Sequence, residues 1–178
     1  MKQWLCTISL SFLVSALLSC SLSAQPKAIT SIWSFNGIGV GYEHYINEDC
    51  FLQADAEVDM SDLLIGRSHT VGASASFSYN IIFKTKVNRY GTRLNYFAGP
   101  GAKAGWGMDY KSAPGLFFGI KGRLGIEAIF ERSISISACL SPTLGLHVSE
   151  HKGDMVMRLY RNGLRYFILP EIGIKYTF

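Results

Sequence analysis

Along most of this chain apolar and polar residues alternate one for one. A period of two marks β-strands whose two faces meet different surroundings. The clearest stretch is 133–147, where Ile134, Ile136, Ala138, Leu140, Leu144 and Leu146 fall on one face. Ser133, Ser135, Ser137, Cys139, Ser141, Thr143 and His147 fall on the other. Residues 70–81 repeat the pattern, with Val71, Ala73, Ala75, Phe77, Tyr79 and Ile81 against Thr70, Gly72, Ser74, Ser76, Ser78 and Asn80. In 51–60, Leu52, Ala54, Ala56, Val58 and Met60 oppose Gln53, Asp55, Glu57 and Asp59. The last strand sets Tyr166, Ile168, Ile172, Ile174, Tyr176 and Phe178 against Glu171, Lys175 and Thr177. No helical period appears after Gln25.

Turn residues divide this alternation into eight predicted strands, at 28–35, 38–46, 51–60, 69–82, 93–107, 115–130, 133–147 and 166–178. Asn36-Gly37 is a two-residue hairpin signal. Asn47-Glu48-Asp49 and Glu131-Arg132 form further tight turns, and glycine and polar residues fill 61–68, 83–92, 108–114 and 148–165. The last connection is the longest, with room for an extra hairpin through Met155 to Leu159. An all-β fold follows, read as an eight-stranded antiparallel up-and-down barrel occupying 25–178.

The first 24 residues read as an export leader instead. Lys2 is followed by the apolar run Trp4 to Leu18 and by the small residues Ser21-Leu22-Ser23-Ala24, which predicts cleavage before Gln25. The run is shorter than the ~20 residues that span a bilayer as a helix. Leu17-Leu18-Ser19-Cys20 leaves a second reading open, in which Cys20 carries a lipid.

Charge and cysteine narrow the chemistry. The formal charge is +4, and losing Lys2 with the leader takes away one positive charge and no acid, leaving +3. Lys and Arg are dispersed, which excludes a nucleic-acid footprint. Cys6 and Cys20 belong to the leader, so Cys50 and Cys139 remain, and two cysteines are no disulfide framework. No metal-ligand spacing and no cofactor motif occurs, so neither a metal nor a cofactor is expected.

A soluble barrel hides its apolar face, whereas a membrane barrel inverts the arrangement. Nearly balanced charges on the polar faces favour inversion. Glu43, Asp55, Glu57, Asp59, Glu127 and Glu171 are expected to meet Arg93, Lys103, Lys121, Arg123 and Lys175 in an ionic lumen, because an unpaired buried charge costs several kcal/mol. Aromatics near strand ends make two girdles: Tyr79, Tyr96, Phe130, Tyr176 and Phe178 at the periplasmic level, and Trp106, Phe118 and Tyr166 toward the outside. With both strand termini in the periplasm, 47–50, 83–92 and 131–132 lie inside, and 36–37, 61–68, 108–114 and 148–165 face out.

Several segments carry a family resemblance: Leu94-Asn95-Tyr96-Phe97-Ala98-Gly99-Pro100-Gly101-Ala102, Gly122-Arg123-Leu124-Gly125-Ile126-Glu127, Ile134-Ser135-Ile136-Ser137 with Ser141-Pro142-Thr143-Leu144-Gly145, and the closing Ile174-Lys175-Tyr176-Thr177-Phe178. Together they resemble the small outer-membrane β-barrel proteins of Bacteroidota-type bacteria, with OmpA/OmpX-like architecture. Members usually show an aromatic where Ala128 stands and an acid where Cys139 stands. The resemblance implies a fold and a compartment: the bacterial outer membrane, with Tyr176 and Phe178 as the signal read by the barrel assembly machinery.

The expected function is a monomeric, non-enzymatic barrel with a structural or surface-interaction role, contacting outer-membrane lipid. Its lumen is plugged, since eight strands enclose only enough space for side chains. Residues 148–165 present Glu150, His151, Lys152, Asp154, Arg158 and Arg161. Two other readings stay open: a lipid A-modifying hydrolase using His147 and Ser149 with Glu150 nearby, and a soluble lipocalin-like carrier of an apolar ligand.

Overall fold

The computed structural model describes residues 25–35, 37–60, 71–89, 91–109, 113–130, 133–151, 153–165 and 168–178. The expected leader with its cleavage position, the 61–68 connection and Tyr166 lie outside the described residues.

Alternating residues form the strands β1 (Lys27–Ser34), β2 (Gly37–Tyr45), β3 (Cys50–Asp59), β4 (Gly72–Val87), β5 (Arg93–Gly107), β6 (Gly115–Ile129), β7 (Ile134–Leu140), β8 (Thr143–His151), β9 (Asp154–Leu159) and β10 (Glu171–Thr177), with a helical turn α1 (Asn162–Arg165). Every strand pairing is antiparallel. Neighbours run β1 to β6 in chain order, then β7, then β10, which pairs back onto β1. The result is a closed eight-stave barrel.

Its register fixes its shape. From Trp33 one row of partners passes through Ile38, Val58, Ala73 and Trp106 to Leu116. The other way round, Trp33 leads through Ile172 and Ala138 to Ile126. The two paths meet β6 ten residues apart, so the shear is ten, which with eight staves demands the ~35–45° strand tilt of small barrels.

Three expected boundaries are corrected. The strand 133–147 is split, because Pro142 has no N–H to give the ladder; β7 stops at Leu140 and β8 resumes at Thr143. Pro142 O still accepts from Gly122 N at 2.8 Å, so β7 and β8 act as one stave along β6. Of the strand predicted for 166–178, the described residues 168–170 are not extended into the sheet, and β10 starts at Glu171, immediately after Pro170. The strand predicted for 69–82 starts at Gly72 and runs to Val87, crossing a register shift between Ile82 and Lys84 that turns Lys84 and Lys86 outward. The proposed hairpin through Met155 to Leu159 is present, as β8 extended to His151 and paired with β9.

Burial follows the alternation with the hydrophobic sense reversed. Ile120 (70% exposed), Leu124, Ile136, Leu144 and Ile174 cover the outside, while Lys121 (1%), Lys175, Glu127 and Asp55 are buried within. Cys50 and Cys139 are free thiols on opposite faces of the wall. Small residues let the wall close: at Gly125 a Cβ would stand 2.5 Å from the Phe97 ring and 2.7 Å from Cys139 Cβ.

Candidate functional site in the barrel interior

We call the end where β1 begins and β10 finishes the near end, and the opposite end the far end. The inward positions of the staves converge on three tiers of polar contacts.

In the tier toward the near end, Lys175 on β10 is the centre. Its Nζ pairs with Glu43 on β2 and with Glu127 Oε1 on β6, the latter at 2.8 Å. Ser135 Oγ donates to Glu127 Oε1 at 2.7 Å, and Thr30 Oγ1 to Glu43 Oε1 at 3.3 Å. The ammonium also lies 5.3 Å from the Phe51 ring centroid and 3.4 Å from Tyr45 Oη. Two carboxylates around one ammonium, capped by aromatic faces, leave the charge nowhere exposed.

The middle tier holds Arg123. Its Nη1 donates to Gln53 Oε1, its Nη2 to Cys139 Sγ at 3.3 Å, and its guanidinium sits 5.6 Å from the Phe97 centroid. Gln53 passes the contact on through Nε2 to Asp55 Oδ1 at 2.6 Å. On the other side, Glu171 Oε2 accepts from Ser141 Oγ at 2.8 Å and Cys139 Sγ at 3.4 Å.

In the third tier Lys121 Nζ lies 3.6 Å from both Asp55 Oδ2 and Glu57 Oε1, and Lys103 Nζ lies 2.6 Å from Glu57 Oε2. Ser76 Oγ bridges, accepting from Lys121 at 3.2 Å and donating to Asp55 Oδ2 at 3.0 Å.

Of the residues named from the sequence for the lumen, seven sit in these tiers on ion pairs: Glu43, Asp55, Glu57, Lys103, Lys121, Glu127 and Lys175. Asp59 ends β3, and Arg93, Glu171 and Arg123 have neutral partners. Arg93 is exposed at the near mouth, where its Nε donates to Asn95 Oδ1 at 3.2 Å, and Glu171 holds Ser141 and Cys139. Arg123 too, expected opposite a carboxylate, bonds directly to Gln53 and Cys139, because the shear brings β3 Gln53 rather than an acid level with it. Tyr176 and Phe178 point outward and are exposed; the Phe178 backbone is tied in both directions to Lys27.

Sequence reasoning missed a cap at the far end. Between β9 and β10 the chain turns inward, so that Tyr160 stacks on Phe117 with ring centroids 4.4 Å apart and planes 2° from parallel. Asp109, from the β5–β6 connection, accepts from Arg161 N (3.0 Å) and Asn162 N (2.8 Å), while Asn162 Nδ2 donates to Met108 O. Asp109 thus binds the first N–H groups of α1 from across the mouth. The Asn162-Gly163 pair was its only local signal. Below the cap, buried His147 contacts Gly107 O through Nε2 at 3.2 Å. Ser149 is buried on the same face, and Glu150 points away on the other. At the near end, a cavity of about 850 Å³ opens, lined by Tyr45, Ile82, Arg93, Asn95, Glu127 and Ser135 among others.

The closed ring, the shear of ten and the polar interior define the class: an antiparallel eight-stave barrel of inverted hydrophobicity. Among solved structures, the N-terminal β-barrel domain of Pseudomonas aeruginosa OprF is similar at 13% identity and a TM-score of 0.49, covering 86% of this chain and 96% of that one. The Yersinia pestis attachment invasion locus protein Ail, in complex with the heparin analogue sucrose octasulfate, is similar at 12% identity and a TM-score of 0.33, covering 86% and 95%. No family model and no curated protein matches the chain.

Proposed function

We propose that this chain is a non-enzymatic outer-membrane β-barrel with a structural or surface-interaction role, exported by its leader, cleaved before Gln25, and monomeric within its membrane. The carrying observation is the reversed burial: Ile120, Leu124 and Ile174 are more than half exposed around the waist while Lys121 and Lys175 are at most 2% exposed. Water offers no reason to turn aliphatic side chains out and ammonium groups in; lipid does. Tyr96, Phe130, Tyr176 and Phe178 at the near end, and Trp106 and Phe118 toward the far end, stand where headgroup girdles belong.

The membrane partner is then outer-membrane lipid, and β10 with Tyr176 and Phe178 is the strand that the barrel assembly machinery reads. The Bacteroidota-type affiliation rests on the sequence resemblance. The interior tiers, with the Phe117–Tyr160 cap above them, fill the lumen and deny solutes a path, which favours a structural role over a pore. Neither of the other readings has a supporting observation. A lipocalin-like carrier requires the aliphatic face inside. A hydrolase requires His147, Ser149 and an acid to converge, and Glu150 lies across the wall from both.

Cell fractionation tests the proposal. The protein is expected in the outer-membrane pellet after osmotic shock and to migrate faster on cold detergent gels than after boiling. Recovery in the shock fluid, with one mobility at both temperatures, overturns it.

A further inference from the structure

The row of partners that runs from Trp33 to Leu116 continues through Val148 to Met157 on β9. A shear of ten makes such a row climb by roughly 24 Å per circuit at ~3.3 Å per residue. β9 therefore stands about 20 Å beyond the β1–β2 tip, on the same side of the barrel. Its outer neighbour should be β1, which ends at Ser34 far below. Among the described residues no strand pairs with the second edge of β9.

That edge has a defined hydrogen-bonding parity. Tyr160 N donates to Gly145 O at 2.9 Å, in register with the β8–β9 pairing. Bonded and non-bonded partners alternate along an antiparallel ladder. Asp154, Val156 and Arg158 consequently turn their N–H and C=O toward β8, and Met155, Met157 and Leu159 turn theirs to the open side.

We propose that this edge pairs with the same edge of a second copy, in an antiparallel register centred on Val156. In that register Met155 faces Met157 of the partner subunit, and both belong to the set whose backbone groups are free, so the ladder closes. Val156 then meets the partner's Val156, and Asp154 meets the partner's Arg158, twice over by symmetry. These fall at non-bonded positions, where facing side chains approach most closely. Asp154 and Arg158 are exposed and form no ion pair among the described residues. Charges on a short edge strand ordinarily discourage indiscriminate addition. Here their spacing rejects most registers and suits this one.

The geometry also sets which copies meet. β9 runs toward the barrel in every copy, so two barrels in one membrane cannot present it antiparallel. The contact joins barrels head to head, from two facing membranes.

Proteoliposomes of neutral phospholipid provide the test, read by turbidity and light scattering. Vesicles carrying the wild-type protein are expected to cluster, and empty vesicles are not. Asp154→Arg or Arg158→Asp alone places like charges opposite each other and should slow clustering on the order of tenfold. Mixing vesicles of the two variants restores both opposite-charge contacts and should restore clustering. Cold-gel mobility verifies that each exposed-site variant is folded. Wild-type vesicles that stay dispersed, single reversals that cluster normally, or a mixture that fails to recover each overturn the proposal; the second outcome would assign clustering to another surface.

Discussion

Lys175 Nζ and Glu127 Oε1 meet at 2.8 Å across the inner face of β7, the one stave between their strands, with Glu43 of β2 on the ammonium's other side. Besides it, the neutral hydroxyls of Ser135 and Thr30 donate to the two acids. Replacing Lys175 with Met leaves two carboxylates buried beside each other. The variant should lose about 3–5 kcal/mol, the typical cost of stranding a buried charge. The triple variant Lys175→Met, Glu43→Gln, Glu127→Gln should recover most of it. Urea unfolding in lipid vesicles, followed by tryptophan emission, measures both.

On the outer wall the same kind of substitution acts differently with depth. Leu124→Arg places a cation at mid-height and should cost about 2–4 kcal/mol, whereas Met157→Arg, near the far summit, should cost about 0–1 kcal/mol. Equal effects at the two positions would argue against a lipid belt. The same unfolding titration reads them out.

The cap at the far mouth depends on Asp109. Asp109→Ala removes the acceptor for the first N–H groups of α1 and should cost about 1 kcal/mol. The expected local consequence is larger than the global one: limited proteolysis with trypsin should cut at Arg161 or Arg165 faster than in the parent, while the gel mobility of the unheated barrel stays the same.

The two thiols provide a chemical check on the faces. Cys139 is buried between Arg123 and Glu171, so it should resist a water-soluble maleimide until the protein is unfolded. Cys50, half-buried on the outward face of β3, should react with an apolar maleimide dissolved in the membrane. Rapid aqueous labelling of Cys139 in the folded state contradicts the filled interior.

The strands were legible in the sequence because the two faces of each differ chemically at every step. Ile134 to Leu146 and Leu52 to Val58 fall outward as the alternation requires, and β5 spans the predicted 93–107 without change. What the sequence left open depends on relations between strands. Which acid faces which base is set by the shear, and no single strand records it; hence Arg123 lies beside Gln53, not beside a carboxylate. The inward turn at Tyr160 depends on Phe117 and Asp109, both more than forty residues away. The split at Pro142 was written locally, but the continuous alternation on either side outweighed it. Glycines that leave room for a bulky cross-strand neighbour, such as Gly125 beside Phe97, gave no sign of that neighbour either.

Tryptophan quenching by brominated lipid tests the inside-out arrangement most directly. Trp33 and Trp106 are the two tryptophans beyond the leader, both on the outward face and 56% and 42% exposed. In vesicles of phospholipid brominated on the acyl chains their fluorescence should fall well below that in unbrominated vesicles, while aqueous iodide has little effect. Strong iodide quenching with no response to the brominated lipid would contradict the account.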